Sequence, residues 1–269
     1  MCAGCDIGRR DQGKERPVVA ALLADVRVQV DVPHHAVESR FARRYRSRMG
    51  EDSASVMTIE VWADVVCPWC RLGKAYLDEA LTQFDRAERV EIIWRSFELD
   101  PSAPAVRPGS LTEHLVEKLG RSEQQIQELN EMIRERGAAV GVDFRFEDAT
   151  SGNTFDAHRL LHLAKDRGLQ QELADALYQA YFTDGLPIGD KDALAAVAVA
   201  TGLDEHEVTS VLEGDRYADA VRADEAEARS LQVTGVPFFV FDRRVAAGGA
   251  QPPDVLLAGL EQAWAARSE

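Results

Sequence analysis

Cysteine is scarce in this chain: four occur among 269 residues, falling as two close pairs, Cys2/Cys5 and Cys67/Cys70. That is too few for a disulfide framework, so the close pairing points to redox or metal chemistry. Long apolar runs are missing too. None approaches the roughly eighteen residues of a membrane-spanning helix. The best leader-like stretch, Val18–Leu23, is soon interrupted by Asp25 and has no persuasive cleavage site after it. Basic charge is in deficit, with a net charge of −15. Residues 1–56 carry ten Lys/Arg against eight Asp/Glu, which leaves 21 basic and 38 acidic groups in the remainder. An acidic body repels phosphate backbones and anionic lipid, so neither nucleic acid nor a membrane surface is expected as a partner. Together these absences predict a cytoplasmic protein whose cysteines are mostly reduced.

What is present suits a folded domain. Hydrophobic residues make up 45% and charged residues 29%, and a chain of this length can bury a core without disulfide staples. Composition changes near residue 56. Residues 38–56 are rich in Arg, Ser and small polar residues and lack a sustained apolar period. Residues 1–56 therefore read as a poorly ordered N-terminal extension, in which Val26, Val28, Val30 and Val32 form a weak strand pattern without a partner.

From Met57 the pattern is α/β. Ile59–Trp62 and Val90–Trp94 read as strands, separated by a helix in which Leu72, Ala75, Tyr76, Leu77, Ala80, Leu81 and Phe84 recur at helical spacing. Helical signals then dominate. Ser110 with Glu113, and Ser122 with Gln125, fit capping boxes, and Gly137 is the expected stop of the second helix. Further helices are predicted over Thr154–Arg167, Leu169–Phe182, Lys191–Ala200, Glu205–Leu212 and Tyr217–Ser230, with Asp190 and Asp204 as N-caps. Pro237–Phe241 and Arg244–Gly248 then form a hairpin, and a last helix follows Pro252 and Pro253. The order is a thioredoxin fold with a helical insertion between its β-α-β and β-β-α halves. Residues 57–100 and 231–269 make the thioredoxin-like domain, and 101–230 the helical insertion.

Cys67-Pro68-Trp69-Cys70 sits where a strand passes into a helix. A cysteine at a helix start meets unpaired N–H groups and the positive end of the dipole, which favour thiolate over thiol. Two intervening residues keep the second sulfur within bonding reach. Pro68 is harmless in the first helical turn, and Trp69 offers an apolar platform for a partner. Half a zinc site, completed by Cys2 and Cys5, and a pair of buried structural cysteines are the competing readings. The zinc reading has to draw Cys2 and Cys5 from the poorly ordered tail, and the structural reading explains neither the strand–helix position nor Pro68. His158 and His162 share a helix face without the glutamate of a zinc-binding H-E-x-x-H motif, so no metal is assigned. Glu98 is either a proton acceptor near Cys70 or a loop cap beside Pro101, and stays outside the site. Asp224, Glu225 and Glu227 read as a solvated helix face.

Taken with this fold order, Cys67-Pro68-Trp69-Cys70 and Thr234-Gly235-Val236-Pro237 resemble the DsbA-type thioredoxin superfamily. Ser151-Gly152-Asn153-Thr154 leading into Ala157-His158, and Ala247-Gly248-Gly249-Ala250-Gln251, resemble its FrnE-like branch. That branch stands near the 2-hydroxychromene-2-carboxylate isomerases and kappa-class glutathione transferases. The resemblance covers about Met57 to Trp264. It implies that Cys67 is the nucleophile and Cys70 the resolving thiol. Pro237 would be a cis-proline facing them, and Val236 would offer backbone groups to an incoming peptide or glutathione. Asn153 and His158 would be pocket residues. It implies no bound cofactor, glutathione as a co-substrate, and disulfide-containing proteins or small thiols as substrates; a homodimer is left open. The best-known DsbA pattern has histidine where Trp69 stands, so a weaker oxidant is expected here. The alternatives are a glutathione-dependent isomerase or transferase, whose relatives typically carry serine at the first position, and a redox-sensing, chaperone-like module.

Overall fold

The computed structural model describes residues 56–268; the strand pattern within 18–32 and the Cys2/Cys5 pair lie outside them. The four-stranded sheet is ordered β2-β1-β3-β4. Strands β1 (Met57–Ala63) and β2 (Val90–Ser96) pair in parallel from Met57 opposite Val90 to Ala63 opposite Ser96, joined by helix α1 (Pro68–Thr82). Strand β3 (Phe238–Phe241) runs antiparallel to β1, with Ile59 opposite Phe241, and turns into β4 (Val245–Gly248). β1 is buried on both faces, which suits its apolar residues Met57, Ile59, Val61, Trp62 and Ala63.

Between the two halves stand α2 (Leu111–Leu119), α3 (Glu123–Ala138), α4 (Phe155–Arg167), α5 (Gln170–Phe182), α6 (Lys191–Ala200), α7 (Glu205–Glu213) and α8 (Ala218–Ser230). Both capping boxes form as the sequence predicts, and Asp190 and Asp204 cap α6 and α7. The last helix, α9 (Pro253–Ala265), packs against α1 and the hairpin.

Edge strand β2 is closed by side chains. The Gln170 amide accepts from Trp94 N at 3.1 Å and donates to Trp94 O at 3.0 Å, while Gln171 donates to the Ile92 carbonyl at 3.2 Å. Two glutamines at the start of α5 thus stand in for a neighbouring strand and blunt an exposed edge.

Two sequence expectations are overturned. Gly137 does not stop α3, which continues to Ala138; a Cβ at Gly137 would lie 2.7 Å from the Phe144 ring, so this glycine lets helix and aromatic approach. The left-handed residue that turns the chain is Gly141, with φ of 74°. The acidic face of α8 is not solvated either: Asp224 and Glu225 are 3% and 8% exposed. Asp224 accepts from Arg95 Nη1 at 2.9 Å and Ser96 N at 3.0 Å, and its Oδ2 stands 3.1 Å from His162 Nε2. Arg95 also binds Glu60, and Arg243 bridges Glu60 to Glu227. The apolar stripe of α8 is narrow enough that its acidic flank reaches β2, a contact that helical periodicity does not encode.

Candidate active site

β1 ends at Ala63, and Asp64, Val65 and Val66 lead directly into the cysteine pair. Cys67 is the N-cap of α1, extended at φ −90° and ψ 112°, and its carbonyl accepts from Cys70 N at 3.0 Å and Arg71 N at 3.2 Å. No side chain caps this helix start and no acidic residue lies in its first turn, so nothing nearby competes with a thiolate for the helix N-terminus. Pro68 occupies the first helical position, where its missing N–H costs no hydrogen bond.

Both thiols are free, and they differ in access: Cys67 keeps 4% exposure and Cys70 none. The Cys67 thiol donates to the Val236 carbonyl at 3.6 Å, and the Val236–Pro237 bond is cis. Pro237 sits close because position 73 is glycine; a Cβ there would lie 2.8 Å from Pro237 Cγ. Trp69 is half-buried, with the Arg136 guanidinium of α3 5.4 Å from its ring centre. Burial pushes the Cys70 thiol well above its ordinary pKa, helped by its hydrogen bond with Cys67 and the negative charge at Cys67 and Asp64, while the Asp64 backbone acts in the opposite sense. Cys70 is therefore held as a thiol at neutral pH.

Residues 58–261 match the family model described as the DSBA-like thioredoxin domain. The chain belongs to this family. It is 45% identical to the probable DsbA oxidoreductase SCO1869 of Streptomyces coelicolor, with a TM-score of 0.74 over 78% of this chain and 90% of that one. It is 31% identical over 195 residues to the uncharacterized protein YwbO of Bacillus subtilis (strain 168), spanning 71% of this chain and 90% of YwbO. The cytosolic disulfide reductase DsbM of Pseudomonas aeruginosa, solved with GSH, has the same fold at 17% identity and a TM-score of 0.53, over 77% of this chain and 99% of DsbM.

Within this DSBA-like domain the structure brings Cys67, Pro68, Trp69, Cys70, Val236 and Pro237 together. Asn153 is engaged elsewhere: its amide donates to Glu98 Oε1 and to the Pro101 carbonyl, both at 3.4 Å, and its Oδ1 accepts from Phe155 N at 2.9 Å. It thereby ties the loop after β2 to the start of α4. The preceding Gly152 admits that loop, since a Cβ would stand 2.3 Å from the Ala105 carbonyl. Glu98 is 5% exposed and pairs with Arg222 of α8; burial raises its pKa and Arg222 opposes the rise.

His158 is 1% exposed and faces Asp64, which is equally buried. Asp64 and Tyr178 are the residues that sequence reasoning missed. The Tyr178 hydroxyl donates to the Asp64 carbonyl at 3.5 Å. Burial raises the Tyr178 pKa well above its usual value, with negative charge at Cys70, Cys67 and Asp64 adding to the rise. A signal for Asp64 did exist: it is the one ionisable residue in the apolar run Val61-Trp62-Ala63-Asp64-Val65-Val66.

Proposed function

We propose that this chain is a dithiol–disulfide oxidoreductase in which Cys67 attacks and Cys70 resolves. The observation that carries this reading is the unequal pair itself: one sulfur at an uncapped helix start against the Val236 carbonyl, the other fully buried behind it. The Cys67 thiolate attacks a substrate disulfide, one substrate thiolate leaves, and a mixed disulfide forms. Cys70 then attacks Cys67 Sγ, releases the second substrate thiolate and closes the Cys67–Cys70 disulfide. The reverse sequence oxidises a dithiol substrate.

Substrates would be disulfide-bearing proteins or small thiols, in a cytoplasmic setting. Glutathione is the proposed small-thiol co-substrate, a reading supported by the GSH bound in the structure of DsbM, which shares the fold. Among the described residues no helix is long and apolar enough to cross a membrane. Insulin reduction with dithiothreitol tests the assignment. The chain should accelerate precipitation of the insulin B chain, and Cys67→Ser should abolish the acceleration. Acceleration that survives Cys67→Ser would overturn the assignment.

A further inference from the structure

Arg136, in the last turn of α3, lies over the Trp69 ring, its Cζ 5.4 Å from the ring centre. Trp69 belongs to the cysteine motif itself: two peptide units separate it from Cys67, a Cα-to-Cα span of at most about 7.6 Å. The Arg136 guanidinium is exposed, and among the described residues no carboxylate pairs with it. That sets it apart from the other cations of these two helices. Arg71, next to Cys70, is held by Asp175 at 3.1 Å. Lys74, one turn on, is held by Asp78 at 2.8 Å and Asp175 at 3.0 Å. Arg134, two residues before Arg136, is held by Glu131 and Glu147.

The backbone under Arg136 is firmly packed. Ile133 on the same helix is 1% exposed, and Gly137 admits the Phe144 ring. A guanidinium laid over an aromatic ring spends its face on that contact and keeps its N–H edge, which fits a carboxylate through two hydrogen bonds. The α3 dipole alone would favour an arginine in this turn, but it does not call for a ring of the cysteine motif beneath it. Charge gives the contact its consequence. The chain carries −15, so an anionic disulfide approaches against a repulsive field. An unpaired guanidinium beside the motif offsets that repulsion at the place where exchange occurs.

We infer that Arg136, held over Trp69, binds a carboxylate of the disulfide that Cys67 attacks, and so favours carboxylate-bearing disulfides as substrates. This deepens, and rests on, the exchange reading of Cys67 and Cys70. The electron bookkeeping of exchange is unchanged. The Cys67 thiolate attacks one substrate sulfur, the substrate S–S bond breaks, and one half leaves as a thiolate. The half joined to Cys67 keeps its carboxylate on Arg136 until Cys70 displaces it.

Rates of attack by the reduced full chain test this, with Cys2→Ser and Cys5→Ser so that one cysteine pair reports. Acid quench, alkylation and mass analysis give the rate constant with three disulfides: anionic oxidised glutathione, neutral bis(2-hydroxyethyl) disulfide and cationic cystamine. Arg136→Met keeps an apolar stem over Trp69 and removes the charge. It should lower the ratio of the glutathione rate constant to the neutral one about fivefold, with no fall in the cystamine ratio. Arg134→Met removes the same charge from a paired arginine on the same helix and should leave the glutathione ratio unchanged. Equal falls with all three disulfides, an unchanged ratio in Arg136→Met, or an equal drop in Arg134→Met would overturn the inference. A parent chain that reacts with none of the three would overturn the exchange reading itself.

Discussion

Two buried carboxylate clusters meet the central strand β1, and they differ in how fully their charges are matched. Near the middle of β1, Glu60 is held by Arg95 and Arg243, while Asp224 receives Arg95, Ser96 N and His162. Past the end of the same strand, Asp64 has a single backbone N–H on one oxygen and faces His158 Nε2 at 3.5 Å with the other, without a hydrogen bond. The matched cluster is built to stay as it is, because any lost partner leaves a bare charge in the interior. The unmatched one stands next to the turn that leads into the Cys67–Cys70 pair. The Cys70 and Tyr178 thiol and phenol, both raised by burial, lie on that side of the strand.

The contrast can be broken most severely at Asp224. Asp224→Ala should lower folding stability by about 3 kcal/mol or more, since Arg95 would lose one of its two carboxylates and Ser96 N its buried acceptor. Urea unfolding would measure it, and the rate at which Cys67 reacts in the folded fraction should not change. The same residue sets a pH dependence. Burial raises the Asp224 pKa, but the His162 hydrogen bond and the Arg95 charge more than offset this and leave it below the ordinary value. Its contribution is therefore present above the unfolded carboxylate pKa of about 3.9 and is lost as pH falls through the lower folded value. Acid unfolding of Asp224→Asn should show a shallower dependence over that window.

On the thiol side, Gly73→Ala should cost about 2 kcal/mol, because the new Cβ collides with Pro237. It should also slow exchange at Cys67, which no change at Asp224 should do. Trp69→His should raise the reduction potential by about 30 mV, equivalent to about 1.4 kcal/mol, as an imidazolium beside Cys67 favours the reduced form; a glutathione redox titration reads this directly. The smallest effect belongs far from both clusters. Ser122→Ala removes half of the capping box of α3 and should cost about 1 kcal/mol in thermal unfolding without altering the potential.

Much of this architecture was legible because its signals are local. Capping boxes announce helix starts within a few residues, and apolar alternation, the hairpin turn at Asp242-Arg243 and the strand-to-helix cysteine pair are equally short-range. The cis bond before Pro237 followed from the family resemblance of Thr234-Gly235-Val236-Pro237, and the structure has it. What stayed hidden depends on contacts between distant segments. Gly137 looked like a helix stop until Phe144 was seen against it, and the acidic flank of α8 looked solvated until β2 was placed beneath it. Asp64 and His158 are far apart in sequence, and nothing in either neighbourhood says which strand end meets which helix face. Gln170 and Gln171 are likewise ordinary helix-start residues until they are found bonded to a strand edge.

The most direct test of the exchange chemistry is to trap its intermediate. Cys70→Ser protein incubated with oxidised glutathione and mapped by peptide mass spectrometry should carry a glutathione adduct on Cys67, and the parent chain should instead hold a Cys67–Cys70 disulfide. A Cys67 that remains unmodified in Cys70→Ser, or a parent chain whose two thiols never join, would contradict the account.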